Sequence, residues 1–261
     1  MPEAAGLYYE LHGPEDAPPL ILSSGLGGSA SYWTPNLPAL TEHFRVIVYD
    51  HRGTGRSDRA LPDVVTVEQF ADDMLALMDA LGIARAHIVG HAAGGVAGLA
   101  LALRAPERLD KLVIVNGWAK ADPHFLRCFE ARLNLLRNSG VAAFLRAQPI
   151  FLYPATWISA HTGELDAELT HQLASFPGAE TMEKRIAALA AYDATGRVGG
   201  YADRMLVLIA EDDMLVPASA GEALARELGD APIARMGWGG HACNVTAAEQ
   251  FNAIVLDYLR S

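Results

Sequence analysis

The sequence predicts an α/β fold: a mostly parallel sheet with helices on both faces and an inserted helical cap. Short apolar runs rich in β-branched residues alternate with helix-like stretches, and some of these runs are apolar at every position. Strands covered by helices on both faces show such continuous apolar runs. The runs that we predict as strands are Leu20–Leu22, Val46–Tyr49, His87–Val89, Leu112–Val115, Met205–Ile209 and Ile233–Met236.

Two further elements and one insertion complete the predicted organisation. We expect Leu7–Leu11 to pair antiparallel at the edge of the sheet and an amphipathic helix to run from about Ala247 to Leu259. In the middle of the chain the strand rhythm stops, and Ala, Leu, Arg and Glu recur at helical spacing, interrupted by prolines. We therefore predict a core formed by residues 1–117 and 205–261 and a helical cap formed by residues 118–204.

Composition narrows the class of protein. The chain has 261 residues, of which 51% are hydrophobic and 20% charged, a balance typical of a packed globular protein. The formal net charge is −11 and the basic residues are scattered, so we expect no nucleic-acid partner. We expect no membrane segment, and the first residues lack the features of a signal peptide, which predicts a cytoplasmic protein. Cys128 and Cys243 are expected to be reduced thiols.

A sharp strand-to-helix turn is predicted around Ala92. The segment Val89–Gly95 follows a strand and opens a helix, and Gly90 and Gly94 flank the central residue in the pattern of a nucleophile elbow. Such glycines permit a strained backbone that presents the central side chain at the top of a sheet. Here that side chain is only a methyl group. Taken alone, the two glycines would equally suit an ordinary strand-to-helix turn.

A glycine-rich loop supports the elbow interpretation by its position. Ser24–Gly28 directly follows the early strand Leu20–Leu22, where its backbone could approach a substrate oxygen and donate an N–H to it. By itself the loop is weak evidence. It lacks the glycine register of a dinucleotide-binding motif, and no grouping of His, Cys and Asp has metal-site spacing, so we expect no cofactor and no metal.

An acid and a base follow the elbow in the chain. Asp213 comes after the strand Met205–Ile209, and His241 lies on a loop before the last helix. In the order nucleophile site, Asp, His, the carboxylate orients the imidazole and stabilises its charged form. Asp212 is the competing acid. The alternative is that His241 is an ordinary loop residue and Asp213 a surface turn residue.

Other polar and aromatic residues have structural interpretations that we prefer or weigh equally. Arg52 and Ser57, on the loop after Val46–Tyr49, could contact substrate, but we favour a structural turn that supports the elbow. His91 is expected to pack or to bond locally. Five aromatic residues could line a cleft between cap and core or could equally be core: Trp33, Trp118, Phe151, Tyr153 and Trp157.

Several segments carry a family resemblance: Ser24–Ser29 with Tyr32–Trp33, Tyr49–Asp50 with Arg52–Gly55, Gly90–Ala92, Val115–Trp118, Gln148–Pro149 with Phe151–Pro154, and Gly239–Thr246. The last two are the most specific, because many hydrolases share the elbow and the loop glycines. On these segments, and nearly end to end, the chain resembles the RutD family of the Rut uracil-degradation pathway, within the α/β-hydrolase superfamily.

The resemblance implies roles for five residues. Ala92 would occupy the vacant nucleophile site, Asp213 and His241 would form the acid–base pair, and Leu26 and Ala93 would form the oxyanion hole. It also implies hydrolysis of a small pyrimidine-degradation intermediate. The intermediate would be carbamate, giving ammonia and carbon dioxide, or 3-aminoacrylate, giving malonic semialdehyde and ammonia.

The alanine at the elbow dictates the expected mechanism. An alanine cannot form an acyl-enzyme, so we expect water to attack directly, with His241 as general base. Two alternatives stay open: a non-catalytic binding protein, and a serine esterase whose nucleophile was changed to Ala92. We interpret Ala92 as native. The expected partner is a small-molecule substrate, and a homodimer is left open.

Overall fold

Eight strands form one sheet in the computed structural model, which describes residues 3–261. Met1 and Pro2, which belong to the predicted core segment, lie outside the described residues. The strands are β1 (Glu3–Ala4), β2 (Leu7–His12), β3 (Pro19–Ser23), β4 (Arg45–Tyr49), β5 (Ala86–His91), β6 (Leu109–Val115), β7 (Met205–Ala210) and β8 (Ile233–Met236). Their order across the sheet is β1-β2-β4-β3-β5-β6-β7-β8. Strands β3 to β8 run parallel, whereas β1 and β2 pair antiparallel.

Helices cover both faces of this sheet. They are α1 (Leu37–Leu40), α2 (Val67–Ala80), α3 (Ala93–Arg104), α4 (Pro123–Ser139), α5 (Val141–Leu152), α6 (Ala155–Ala160), α7 (Thr162–Ser175), α8 (Ala179–Ala191), α9 (Ala218–Glu227), α10 (Cys243–Thr246) and α11 (Ala248–Arg260). Side chains alternate along each strand, so neighbours face opposite sides. Ile21 packs in the cluster that contains α2, α3 and α9, whereas Leu20 and Leu22 pack with Phe251 of α11.

These elements confirm the predicted fold class. Each predicted strand lies within an observed one, and the predicted last helix coincides with α11 to within about one residue. The prediction that Leu7–Leu11 forms the edge was wrong, because β1 pairs outside β2. The two strands join through Ala5 and Gly6, both with positive φ, and β1 has only two residues, too few for a recognisable pattern.

The predicted cap region consists of helices α4 to α8 and their connections. Two of its prolines mark local structure: Pro149 lies inside α5, and Pro154 is the residue before α6. Buried cap residues such as Phe144 and Ile186 join the same apolar cluster as α2, α3 and α9, so the cap packs on one face of the core. The division of the chain into core and cap stays a prediction.

Two features are absent from residues 3–261. Within this range no helix is both long enough and apolar enough to cross a membrane. Nor does the described part of the chain contain three His, Cys, Asp or Glu side chains grouped so that they could hold a metal ion.

Candidate active site

Ala92 lies at a strained turn between β5 and α3. Its φ of 46° and ψ of −107° are values that a residue with a side chain rarely adopts. The turn is tight: a Cβ on Gly90 would collide with the backbone of Gly94, and one on Gly94 with the carbonyl of Ser23. The Ala92 N–H donates to the Val115 carbonyl at 2.8 Å, which ties the turn to the neighbouring strand. The backbone therefore has the form of a nucleophile elbow, with a methyl group at its apex.

His241 and Asp213 meet at the carboxyl end of the sheet. The His241 Nδ1 lies 2.7 Å from Asp213 Oδ2, and both side chains are buried. The other oxygen of Asp213 accepts the backbone N–H groups of Leu215 and Val216 at 2.7 and 2.9 Å. Because the carboxylate accepts from Nδ1, a neutral His241 ring carries its lone pair on Nε2.

The Nε2 atom of His241 remains available. Among the residues that the structure describes, none forms a hydrogen bond with it, and it is not sealed from solvent. A ring nitrogen with a lone pair, next to a histidine–carboxylate bond, can accept a proton from water or from a substrate group. The arrangement is therefore suited to general-base chemistry.

Asp212, the competing acid, serves the loop instead of the imidazole. Its two carboxylate oxygens accept the N–H groups of Gly239 and Gly240 at 3.2 and 2.8 Å. Both glycines have positive φ, so this stretch of chain needs glycine. Asp212 thus fixes the backbone that leads into His241, whereas Asp213 orients the ring.

Two side chains form hydrogen bonds with the backbone of His241. The carbonyl oxygen of His241 accepts the Nδ2 of Asn116 and the Nε2 of His91, each at 2.8 Å. Asn116 has a φ of 48°, and its Oδ1 accepts the N–H of Ala210 at 2.8 Å. Our sequence analysis missed Asn116 as an individual residue, although its position directly after β6 is a signal that could have identified it.

His91 packs locally, as its position before Ala92 suggested. Since its Nε2 donates to a carbonyl, its Nδ1 is the acceptor, and that atom is buried without a partner in residues 3–261, beneath Gly25. Burial lowers the pKa of His91 well below its ordinary value, and the nearby His241 contributes a smaller decrease. A neutral, enclosed ring of this kind supports the His241 loop.

The glycine-rich loop carries Leu26 beside the elbow. Neither the Leu26 N–H nor the Ala93 N–H donates a hydrogen bond within the described residues. The Leu26 carbonyl, by contrast, accepts the Nε of Arg185 at 3.1 Å. A free N–H in this loop and a free N–H at the start of α3 could both stabilise a negatively charged oxygen.

Arg185, from α8 of the cap, anchors this loop, and the sequence analysis missed it. Its side chain is fully buried, and it also donates to the Arg52 carbonyl at 3.3 Å and pairs with the Nδ1 of His51 at 2.9 Å. Burial lowers the pKa of Arg185 to about 10. The contacts join residues far apart in sequence, so no local pattern predicts them.

Arg52 and Ser57 have the structural role that we favoured. Arg52 forms ion pairs with Asp58 and Asp73 at 3.2 and 2.9 Å, and Ser57 accepts the N–H of Tyr8 at 2.9 Å. These contacts hold the loop after β4 against β2 and α2. Neither side chain is free to bind a substrate in this arrangement.

Two of the five aromatic residues are buried and three are half-buried. Trp33 is fully buried against Phe251, and Trp118 is buried against Phe125. The half-buried Tyr153 and Trp157 pack on each other in the cap, with ring centres 4.5 Å apart. Phe151, also half-buried, lies near the guanidinium of Arg132. Trp33 and Trp118 are thus core residues.

Comparison with a protein-family model identifies the fold. Residues 18–241 match the model described as the α/β hydrolase fold. A solved hydrolase from Pseudomonas aeruginosa PA01 superimposes with a TM-score of 0.86 at 29% identity, over 98% of this chain and 94% of that one. The enol-lactonase from Burkholderia xenovorans LB400 gives 0.86 at 28% identity, over 99% and 98%.

Curated relatives are more similar in sequence. A Caulobacter sp. (strain K31) protein, named provisionally as the carbamate hydrolase RutD, is 53% identical over 97% of this chain and 96% of its own length. An Agrobacterium fabrum protein of the same name is 45% identical, over 97% and 98%. The similarity therefore includes both the core and the cap.

Proposed function

The chain belongs to the RutD family of α/β hydrolases, and we propose that it hydrolyses the carbon–nitrogen bond of a small amino-carboxylate by direct attack of water. The names of its relatives support carbamate, and the family's place in pyrimidine degradation supports 3-aminoacrylate as the other candidate. Both compounds decompose spontaneously in water.

The absence of a nucleophile at the elbow carries the proposal. With a methyl group at position 92, the covalent route through an acyl-enzyme is closed. In this proposal a water molecule takes the place of the missing hydroxyl at the apex and contacts the free Nε2 of His241. His241 takes a proton from this water while Asp213 orients the ring through the 2.7 Å hydrogen bond.

The atoms balance for both candidate substrates. In carbamate, water adds to the carboxyl carbon, the C–N bond breaks, and the nitrogen leaves as ammonia with the proton returned by His241. Bicarbonate, the hydrated form of carbon dioxide, remains. In 3-aminoacrylate, a proton moves from nitrogen to C2 to give the imine tautomer. Water then adds to C3 while His241 passes the water proton to the nitrogen, and loss of ammonia from this carbinolamine leaves malonic semialdehyde. In carbamate hydrolysis the N–H groups of Leu26 and Ala93 stabilise the negative charge on the carboxyl oxygens. In 3-aminoacrylate hydrolysis they stabilise the carbinolamine oxygen as ammonia leaves.

The size of the catalytic effect suits the site. A positioned general base contributes about 10²–10⁴-fold, and one oxyanion donor about 10²–10³-fold. A reaction that already proceeds without help requires no covalent intermediate. An elbow without a nucleophile is therefore compatible with substrates that already decompose in water.

The test is the rate at which freshly generated carbamate and 3-aminoacrylate decompose with and without the protein. We expect acceleration over the uncatalysed rate and a loss of about 10²-fold or more on His241→Ala. His171→Ala, a change of an exposed histidine on α7, is the matched control and should leave the rate unchanged. No acceleration by the parent protein would favour a non-catalytic binding protein, and unchanged acceleration by His241→Ala would remove His241 from the mechanism.

A further inference from the structure

Arg132, on α4 of the cap, is a buried cation without an anion. Its exposed fraction is 3%, and no carboxylate of residues 3–261 lies within ion-pair distance of it. Its Nε is buried with no hydrogen-bond partner, and its Nη2 reaches only the Gln148 Oε1, at 3.4 Å. A buried guanidinium normally pairs with an acid or satisfies its donors with carbonyl oxygens.

Aromatic rings partly compensate for the missing anion. The guanidinium carbon lies 5.4, 5.1 and 5.6 Å from the ring centres of Phe129, Phe144 and Phe151. Such contacts attract a cation but accept no strong hydrogen bond. Burial lowers the pKa of Arg132 to about 10, so the side chain stays charged at neutral pH.

Arg185 shows what a satisfied buried arginine looks like in the same cap. It is equally enclosed, yet its donors reach two backbone carbonyls and a histidine nitrogen. Arg132 has an unused Nε–H donor and one long hydrogen bond. The donor groups of Arg185 are therefore used in hydrogen bonds within the protein, whereas Arg132 keeps an N–H donor that could bind a ligand.

The surroundings of Arg132 connect it to both loops of the candidate active site. One turn earlier on α4, the Cys128 Sγ lies 3.7 Å from the carbonyl oxygen of Met214, the residue after Asp213. On the other side, Phe151 packs by Arg132, and the next residue, Leu152, accepts the N–H of Ala242 at 2.9 Å. Arg132 therefore lies on a cap helix that touches the acid loop, and it packs against a second cap segment that touches the histidine loop.

We propose that Arg132 binds the carboxylate of the substrate and makes the site selective for small carboxylate anions over neutral analogues. This inference rests on the proposed function, because it names the substrate class of the same site. A guanidinium donates two parallel hydrogen bonds to a carboxylate, and the surrounding rings exclude water that would compete for them. Carbamate and 3-aminoacrylate both carry the required group.

The first experiment compares two stable ligands of similar size and shape, one an anion and the other neutral. Propionate and its neutral amide, propionamide, are titrated into the full-length protein, and their dissociation constants are measured by ligand-observed NMR. Losing a hydrogen bond to a charged group corresponds to about 10- to 100-fold in affinity. We expect propionate to bind at least about tenfold more tightly than propionamide. Equal affinity, or no saturable binding of propionate, would overturn the proposal without any mutation.

The second experiment places the charge preference at Arg132. Arg132→Gln should lower the affinity for propionate by about tenfold or more and leave propionamide unaffected, while Arg132→Lys should retain part of the preference. Arg137→Gln, on the same helix but exposed and paired with Glu183, is the matched control. Tight binding of propionate by Arg132→Gln would contradict the assignment.

The binding experiments on Arg132 can succeed or fail independently of the hydrolysis experiment. Propionate binding involves no turnover, so an Arg132-dependent preference for the anion would stand even if the protein failed to accelerate carbamate or 3-aminoacrylate decomposition. Conversely, acceleration with an unchanged KM in Arg132→Gln would leave the hydrolase proposal in place and refute the role of Arg132.

Discussion

The Nε of Arg185 lies 3.1 Å from the carbonyl oxygen of Leu26, and this hydrogen bond joins the cap to the loop that presents the Leu26 N–H. The carbonyl and the N–H of Leu26 flank the same Cα, so a hydrogen bond that holds the carbonyl restricts the backbone from which the N–H is presented. The cap therefore contacts the loop of the proposed oxyanion site through one buried side chain. Arg185 is a positioning residue in this account and does not touch the substrate.

Replacing Arg185 tests this coupling. Arg185→Met should lower kcat by about tenfold or more, a part of the 10²–10³-fold that one oxyanion donor contributes, with a smaller change in KM. Lys184→Met, on the neighbouring residue that pairs with Glu180, is the control and should keep the parent kcat. A purely structural Arg185 would instead lower stability and leave kcat per folded molecule unchanged.

The two adjacent acids should separate in their effects. Asp213→Asn removes the charge that stabilises the protonated His241 ring, and we expect a loss of about 10²-fold or more in kcat. Asp212→Asn keeps an oxygen that can accept one of the two glycine N–H groups, so its effect on kcat should be much smaller. Steady-state rates of the two variants decide between them. Equal losses would show that the loop geometry matters more than the charge beside the ring.

Buried neutral histidines make stability depend on pH. Burial lowers the pKa of His51 and His91 well below 6.5, so both stay neutral in the folded protein near neutral pH, whereas in the unfolded chain each titrates near 6.5. Above that pH neither state binds the proton. Below it the unfolded state binds more protons, and the free energy of unfolding falls by up to about 1.4 kcal/mol per pH unit for each histidine.

Urea unfolding between pH 7 and pH 5 measures this loss. The decrease should be shallower in His91→Gln by the contribution of one histidine. The exposed-site variant His171→Gln should follow the parent curve. An unchanged slope in His91→Gln would contradict the assignment of His91 as a neutral buried ring.

The sequence predicted best the features that depend on residues adjacent in the chain. A continuous apolar run such as Leu112–Val115 predicts a buried parallel strand, and the strand is there. It begins three residues earlier, at Leu109, which pairs with Ala86. The polar residues Asp110 and Lys111, at an irregularity of the register before Leu112, disguise this start. The order of Ala92, Asp213 and His241 likewise suggested that they meet, since parallel strands end at one edge of a sheet.

The cap residues could not be predicted in the same way. Arg132 and Arg185 sit in helical stretches where an arginine ordinarily faces solvent, and their burial depends on how the cap packs on the core. Asn116 owes its role to the distant His241 carbonyl. The contacts of Arg185 and Asn116 join parts of the chain that are far apart in sequence, so no local pattern identifies their partners.

Changing Ala92 tests the central claim most directly. The decomposition rate of carbamate is compared for the parent protein and Ala92→Ser, alongside ester turnover and labelling by a serine-directed probe. If water is the nucleophile, the parent accelerates the reaction, and Ala92→Ser, whose hydroxyl takes the space of that water, does so no faster. An inert parent that gains ester turnover and probe labelling on Ala92→Ser would contradict the account and identify a serine hydrolase without its nucleophile.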